Sequence, residues 1–285
     1  MIGYPSPHKL TQGTIFTCAA SEDYPTSEVR GLVITARCDV EHGKAPVISY
    51  LPLVKFQDWL FQDGVRILAS RILASSRGVM KAAIRDAGLT DSIFDTLSTN
   101  VVREHLSSLT EKAQKAASKR YNDAEKLTVT VKAALAAAPG TKAAREFFDS
   151  QQKEYRKIVS DLLSNGIADY HFIERTEPDE VCQGYVALLR EIRYLPVGLS
   201  NELIYGIDLN KFCALCKENQ KYFDKLVVLN EDDYAMTVGL IESPFIELFM
   251  QRFTQLFSRI GVKDYSQELL QSLHSIVPFT RGETP

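Results

Sequence analysis

Apolar and polar positions change rhythm twice along this 285-residue chain. From Thr11 to Val54 the short runs GTIFTCAA, RGLVITARC and PVISYLPLV are rich in β-branched residues and separated by glycine, proline and charged turns, which predicts strands. From about Lys55 to Ser164 the apolar residues recur at helical spacing. VRILASRILASSRGVMKAAIRDAG ends at Gly88, a residue suited to the position after a helix C-terminus, and Asp91 suits the N-cap of the next helix. That helix is expected to run unbroken from Val101 into AALAAA, with Pro139-Gly140 as a turn. In the following segment Phe147, Phe148, Tyr155, Ile158, Val159, Leu162 and Leu163 share one face, so the two segments predict an antiparallel helical hairpin projecting from the body.

After Gly166 the strand texture returns in DYHFIER, GYVALLREIRYLP, DKLVVLN and DYAMTVGLI, with NEDD expected as a hairpin loop. A last helix is expected with Ser243 as N-cap, Pro244 in its first turn and Gly261 just past its end. Phe245, Leu248, Phe249, Phe253, Leu256, Phe257 and Ile260 would form its buried stripe. Three N-terminal strands are too few for a stable sheet of their own, so the two β zones are expected to combine. The predicted fold class is α+β. A small barrel is built from 9–54 and 166–275 and interrupted by a helical insertion over 55–165, with the last helix packed on it.

The order of these runs resembles the MazF/PemK toxin family of RNA-cutting SH3-like barrels. QGTIFTC, RGLVITARC and VISYLPLV stand where that family has its first three strands. GYVALLREIRYLP followed by MTVGLIESPFIELFMQRFTQLF is similar to its last strands and closing helix. The resemblance covers roughly Lys9 to Val54 and Gly184 to Gly261, and the helical insertion has no counterpart. It implies an SH3-like barrel, a bacterial stress-response or phage-defence setting, and a cleavage role for Arg30. The family's Thr or Ser after the third-strand proline is replaced here by Val54, whose side chain cannot donate a hydrogen bond to a phosphate.

Composition narrows the classes. A formal net charge of −3 argues against a globally basic nucleic-acid binder. Five irregularly spaced cysteines argue against a disulfide framework. MIGYPSPHKLTQG lacks the apolar core of a signal peptide, and no run approaches the ~20 apolar residues of a membrane span. The expectation is a soluble cytoplasmic protein that does not contact membranes.

Cys38, Asp39 and His42 at the end of a strand offer the thiol, carboxylate and imidazole of nucleophilic chemistry. The simpler reading makes Cys38 a buried small hydrophobe, Asp39 a turn former and His42 an exposed residue. The lone CALC pair (Cys213 to Cys216) lacks the second pair of a zinc site, and its helix would bury Phe212, Leu215 and Cys216, so no metal or cofactor is expected. P-loop, dinucleotide-turn, HExxH and GxSxG motifs are missing from the sequence.

Twelve basic against seven acidic residues between Val101 and Ser160 give the hairpin a positive excess, with Lys112, Lys115, Lys119, Arg120 and Lys126 as candidate partner or nucleic-acid contacts. Aromatics for base stacking are sparse there. The sequence therefore favours a non-catalytic interaction or sensor subunit docking a protein partner through the helical arm. One alternative is a divergent RNA endonuclease using Arg30 with an acid-base pair drawn from Asp39, His42 or His171. Another is a regulator that binds RNA or DNA through the basic arm.

Overall fold

The structure is a computed structural model that describes residues 1–108, 111–136 and 141–258. The expected turn at Pro139-Gly140, the helix end at Ile260 and Gly261, and the 259–275 part of the expected barrel lie outside the described residues. In chain order the first elements are β1 (Ile2–Gly3), β2 (Thr14–Phe16), β3 (Val29–Val33), α1 (Arg37–Glu41) and β4 (Val47–Lys55). Next come α2 (Phe56–Trp59), a π-helical turn at Leu60–Gly64, and α3 (Val65–Asp86). The arm continues through α4 (Ser92–Thr96), α5 (Thr99–Ser108), α6 (Lys112–Ala136), α7 (Lys142–Ser150) and α8 (Gln152–Leu163). The chain then forms β5 (Tyr170–Ile173), β6 (Tyr185–Leu188), β7 (Arg193–Pro196), α9 (Val197–Leu203), α10 (Leu209–Glu218), β8 (Thr237–Ile241) and α11 (Phe245–Ser258).

The two β zones pair with each other in one antiparallel sheet, ordered β1-β8-β2-β3-β4-β6-β5, with β7 also on β4. On one edge β4 pairs with β3. On the other its first half pairs with β7 and its last three residues pair with β6. Pro52 falls in the gap between those two pairings, a position that tolerates a missing N–H. The sheet curls into a half-barrel, and its end strands β1 and β5 do not pair with each other among the described residues. It is thus open rather than closed.

Alternation along each strand gives the sheet two apolar faces. Phe16, Val33, Tyr50, Val54, Val186 and Leu188 look toward the larger core, which they share with Leu68, Ala69 and Ile72 of α3, Phe147 and Phe148 of α7, and Ile158 and Leu162 of α8. Ile15, Leu32, Leu51, Leu53, Ile173 and Ala187 look the other way, toward Ile246, Phe249 and Phe253 of α11. The base of the helical arm is therefore continuous with the main core. Its outer end has a small core of its own, with Met80 and Ile84 of α3, Val102 and Leu106 of α5, and Ala117 and Tyr121 of α6.

Several local expectations change. The partner of α6 is chiefly α3, not the α7–α8 segment, and the long expected helix is two, α5 and α6. The helix is also interrupted at Gln151, whose non-helical backbone separates α7 from α8, and Leu163 is exposed. GYVALLREIRYLP makes two strands joined by a turn. DKLVVLN contributes only an isolated bridge, Ala19 to Leu226, so NEDD does not close a hairpin between two strands. Instead the Asp233 carboxylate accepts from the backbone N–H groups of Leu229 and Asn230. α11 begins at Phe245, with the Glu242 carbonyl accepting from the N–H groups of Phe245 and Ile246. Ile246 is buried there, whereas Phe245, Leu248 and Phe257 of the expected stripe are exposed.

Gly88 does end α3 as expected. It has φ +83°, its N–H bonds the Arg85 carbonyl, and the Leu89 N–H bonds the Ile84 carbonyl, the paired pattern of a Schellman stop. Asp91 precedes α4, but its side chain makes no cap bond and pairs with Arg85 instead.

Within the sheet, Gly31 of β3 lies flat against the Phe16 ring of β2, and a Cβ there would overlap that ring. Phe16 is fully buried and stacks edge-on with Tyr50, so it has no free space to yield into. We expect Gly31→Ala to lower unfolding stability by about 2 kcal/mol, as overpacking does. Urea unfolding followed by circular dichroism measures this, and an unchanged midpoint would contradict the packing described.

Candidate functional site

Arg30 is the second residue of β3 and its side chain is only 9% exposed. The loop from Glu174 to Gly184, between β5 and β6, supplies its surroundings. One guanidinium nitrogen meets Glu177 at 2.8 Å, the other lies 3.5 Å from Glu180 and donates to the Thr176 hydroxyl, and the group stacks 5.0 Å from the centre of the Tyr185 ring. Its Nε is buried without a partner among the described residues.

Glu180 is itself saturated. One carboxylate oxygen accepts from the Thr176 N–H at 2.9 Å and hydroxyl at 3.0 Å, and the other accepts from the Tyr185 hydroxyl at 2.5 Å. Burial alone would raise the Glu180 pKa, but the bonds from Tyr185 and the Thr176 backbone, together with the Arg30 charge, outweigh it and hold the carboxyl below its usual range. The same burial and bond push the Tyr185 phenol well up. Farther along the loop the Tyr4 hydroxyl donates to Asp179 at 2.8 Å. The sequence gives Arg30 as a candidate but not its partners Thr176, Glu177, Glu180 and Tyr185. The run RTEPDE is the one signal that could have suggested an acidic cover.

His171 of β5 lies in the same cross-strand row as Arg30: His171 faces Ala187, Ala187 faces Leu53, and Leu53 faces Arg30. The two therefore share one sheet face but stand three strand spacings apart, roughly 14 Å at ~4.8 Å per spacing. Beneath α11, His171 packs edge-on against Phe249, and its Nδ1 lies 2.9 Å from an Arg252 nitrogen. Since Arg252 can only donate, the imidazole accepts at Nδ1 and carries its proton on Nε2. Burial, then the Arg252 charge, lowers its pKa to about 4.

Asp39 and His42 lie elsewhere. β3 ends at Val33, and Arg37–Glu41 form the short helix α1, so Cys38 is not at a strand end as expected. Its thiol is exposed rather than buried, 3.7 Å from an Asp39 carboxylate oxygen. Asp39 lines a cavity of about 270 Å³ that also takes in His8, Ser200 and Ile48, the last a member of the opposite core. His42 is exposed at the end of α1. The expected candidates Arg30, Asp39, His42 and His171 are thus not gathered into one site. In α10, Phe212 is buried with Leu215 and Cys216 packed against the core, as the CALC spacing predicts, while Cys213 is exposed. Among the described residues no group of three or more His, Cys, Asp or Glu is placed to hold a metal ion.

On the arm, Lys112, Lys115, Lys119 and Lys126 of α6 are exposed, and none has an ion-pair partner among the described residues. Arg120 differs: it pairs with Asp86 of α3 at 2.7 Å, which ties α6 to its neighbour. The spacings of three, four and seven residues put the four lysines on one helix face, over a length of roughly 21 Å at 1.5 Å per residue. Asp123 shares that face.

Set beside known proteins, this chain matches no protein-family model, no curated protein and no solved structure. No helix among the described residues is long and apolar enough to cross a membrane.

Arg30→Ala leaves Glu180, whose side chain is 10% exposed, without its counter-charge. We expect a loss of about 3–5 kcal/mol in urea unfolding, with most of it recovered when Glu180→Gln and Arg30→Met are combined. A loss below about 1 kcal/mol would contradict the network. For His171 the folded pKa of about 4 lies below the ordinary 6.5, so the unfolded chain takes up the proton first. Its contribution is full above pH 6.5 and falls as the pH drops toward 4. The stability gap between the native chain and His171→Gln should therefore shrink by about 2 kcal/mol from pH 7 to pH 4.5. A gap independent of pH would contradict a neutral, buried imidazole.

Proposed function

We propose that this protein is a non-catalytic interaction subunit that docks an acidic face of a protein partner through the helical arm. The bacterial stress-response or phage-defence setting comes from the resemblance to toxin barrels, as does the likeness of the half-barrel to an SH3-like sheet. The observation that carries the reading is the row of four exposed lysines along α6, with no ion-pair partner among the described residues, presented on an arm with its own core and an Arg120–Asp86 tie. A row of fixed charges on a braced helix favours a complementary surface and speeds its encounter.

Two observations favour this reading over an endonuclease. The Arg30 guanidinium is already occupied by Glu177, Glu180 and Thr176, and the imidazole on its face is three strands away beneath α11. A protein partner is favoured over nucleic acid because Tyr121, the aromatic of α6, is buried in the arm core rather than available to stack on a base.

The test is fluorescence anisotropy of the full chain with a labelled poly-glutamate peptide and with RNA and DNA strands of equal charge, across a salt series. We expect peptide binding that weakens steeply with salt and falls on the order of tenfold or more when Lys112, Lys115, Lys119 and Lys126 are all changed to Glu. Incubation with total RNA should give no fragments that depend on Arg30. Strand binding at least tenfold tighter than peptide binding, lost in the same variant, would replace this reading with a nucleic-acid regulator. No binding of either at low salt would end both.

A further inference from the structure

We infer that the junction of the π-helical turn with α7 and α8 is a binding site for a nucleoside monophosphate, a ligand class that nothing in the arm or the Arg30 network requires. A cavity of about 470 Å³ opens there, within the size range of small-molecule sites. Phe61, Phe148 and Tyr155 form its apolar wall. The Phe61 and Phe148 rings are 5.8 Å apart and the Phe148 and Tyr155 rings 5.6 Å apart, both edge-to-face. Phe148 is buried between its neighbours, whereas Phe61 and Tyr155 are only part-buried, so these two rings are the ones a planar heterocycle would meet, with stacking worth ~1–3 kcal/mol per base in other proteins.

Arg145 and Arg156 line the same cavity, both exposed and neither in an ion pair among the described residues. They stand on different helices, α7 and α8, on either side of the helix interruption at Gln151, and both line one opening. Guanidinium groups grip a phosphate through paired N–H donors. Asp149 and Gln152, also in the lining, supply an acceptor and an amide donor-acceptor pair, the groups that a base edge or a ribose requires.

The Phe61 side of that wall is irregular and braced. Phe61 belongs to the π-helical turn, a geometry that recurs at functional sites. That turn is held by its own Asp63, which accepts from the Tyr24 hydroxyl at 2.7 Å. A pre-formed wall lowers the ordering cost of binding.

The one tryptophan of the sequence, Trp59, is fully buried and directly precedes the Leu60 and Phe61 that line the cavity, so its fluorescence reports occupancy. The experiment titrates the full chain with AMP, GMP, CMP and UMP, and separately with adenosine and with inorganic phosphate. It follows Trp59 emission and checks by calorimetry. We expect at least one nucleotide to bind with a millimolar or tighter constant, at least tenfold tighter than adenosine or phosphate alone. Arg145→Gln and Arg156→Gln are both exposed changes that leave the fold intact, and together they should weaken binding tenfold or more. The four-lysine variant of α6 should bind nucleotide as the native chain does, which separates this site from the arm. No nucleotide binding at 5 mM, phosphate binding as tight as nucleotide binding, or binding untouched by the double arginine change would each overturn the assignment.

Discussion

Hydrogen bonding along both edges of β4 is the constraint on which the remaining architecture depends. One edge belongs to β3, a near neighbour in sequence, and the other to β6 and β7, which arrive only after the whole helical arm. With β2 pairing β8 in the same way, the first and last thirds of the chain complete each other's backbone bonding. Neither set of strands could satisfy its edges or bury both apolar faces by itself. The arm can be long because of this arrangement. It leaves at the end of β4 and its return leads, through β5, to the strand paired with that end, so the loop it closes is spanned by rigid helices.

The same pairing decides what becomes of Arg30. Joining the two zones brings the Glu174–Gly184 loop over the sheet face where Arg30 emerges, with the Thr176 carbonyl set against Gly239 of β8. A charge on an apolar sheet face needs partners, and this loop supplies two carboxylates, a hydroxyl and an aromatic ring. An arginine early in a strand is therefore explained here by the fold's own electrostatics. Charges available to other molecules lie on α6 and around the α7–α8 break, where Lys112, Lys115, Lys119, Lys126, Arg145 and Arg156 are in no ion pair among the described residues, although Asp123 and Asp149 stand among them.

Part of this was legible in the sequence because local periodicity encodes it. The alternation of the two β zones, the stop at Gly88 and the existence of the last helix each depend on a residue's immediate neighbours. What was not legible depends on the partner. The helical texture of α6 does not show that α3, rather than the α7–α8 segment, covers it. The apolar arc of α11 is wider than the surface it covers, so Ile246 is buried while Phe245, Leu248 and Phe257 stay exposed. Residues 34–41 have the β-branched start of a strand and the charged end of a helical turn, and the chain follows the second from Arg37 onward, which puts Cys38 in solvent. Arg30 was identifiable as a residue of interest, whereas the acids that occupy it lie far along the chain, in the run RTEPDE, which marks an acidic loop but not the residue it covers.

Native-state hydrogen exchange tests the shared sheet most directly. If the two β zones form one cooperative unit, the slowest amides of β3 and β4 and those of β6 and β8 will exchange with the same opening free energy and the same dependence on denaturant, while the outer ends of α5 and α6 open at lower cost. Two distinct free energies, one for the N-terminal strands and another for the C-terminal ones, would mean that the zones fold as separate modules and would contradict the architecture described.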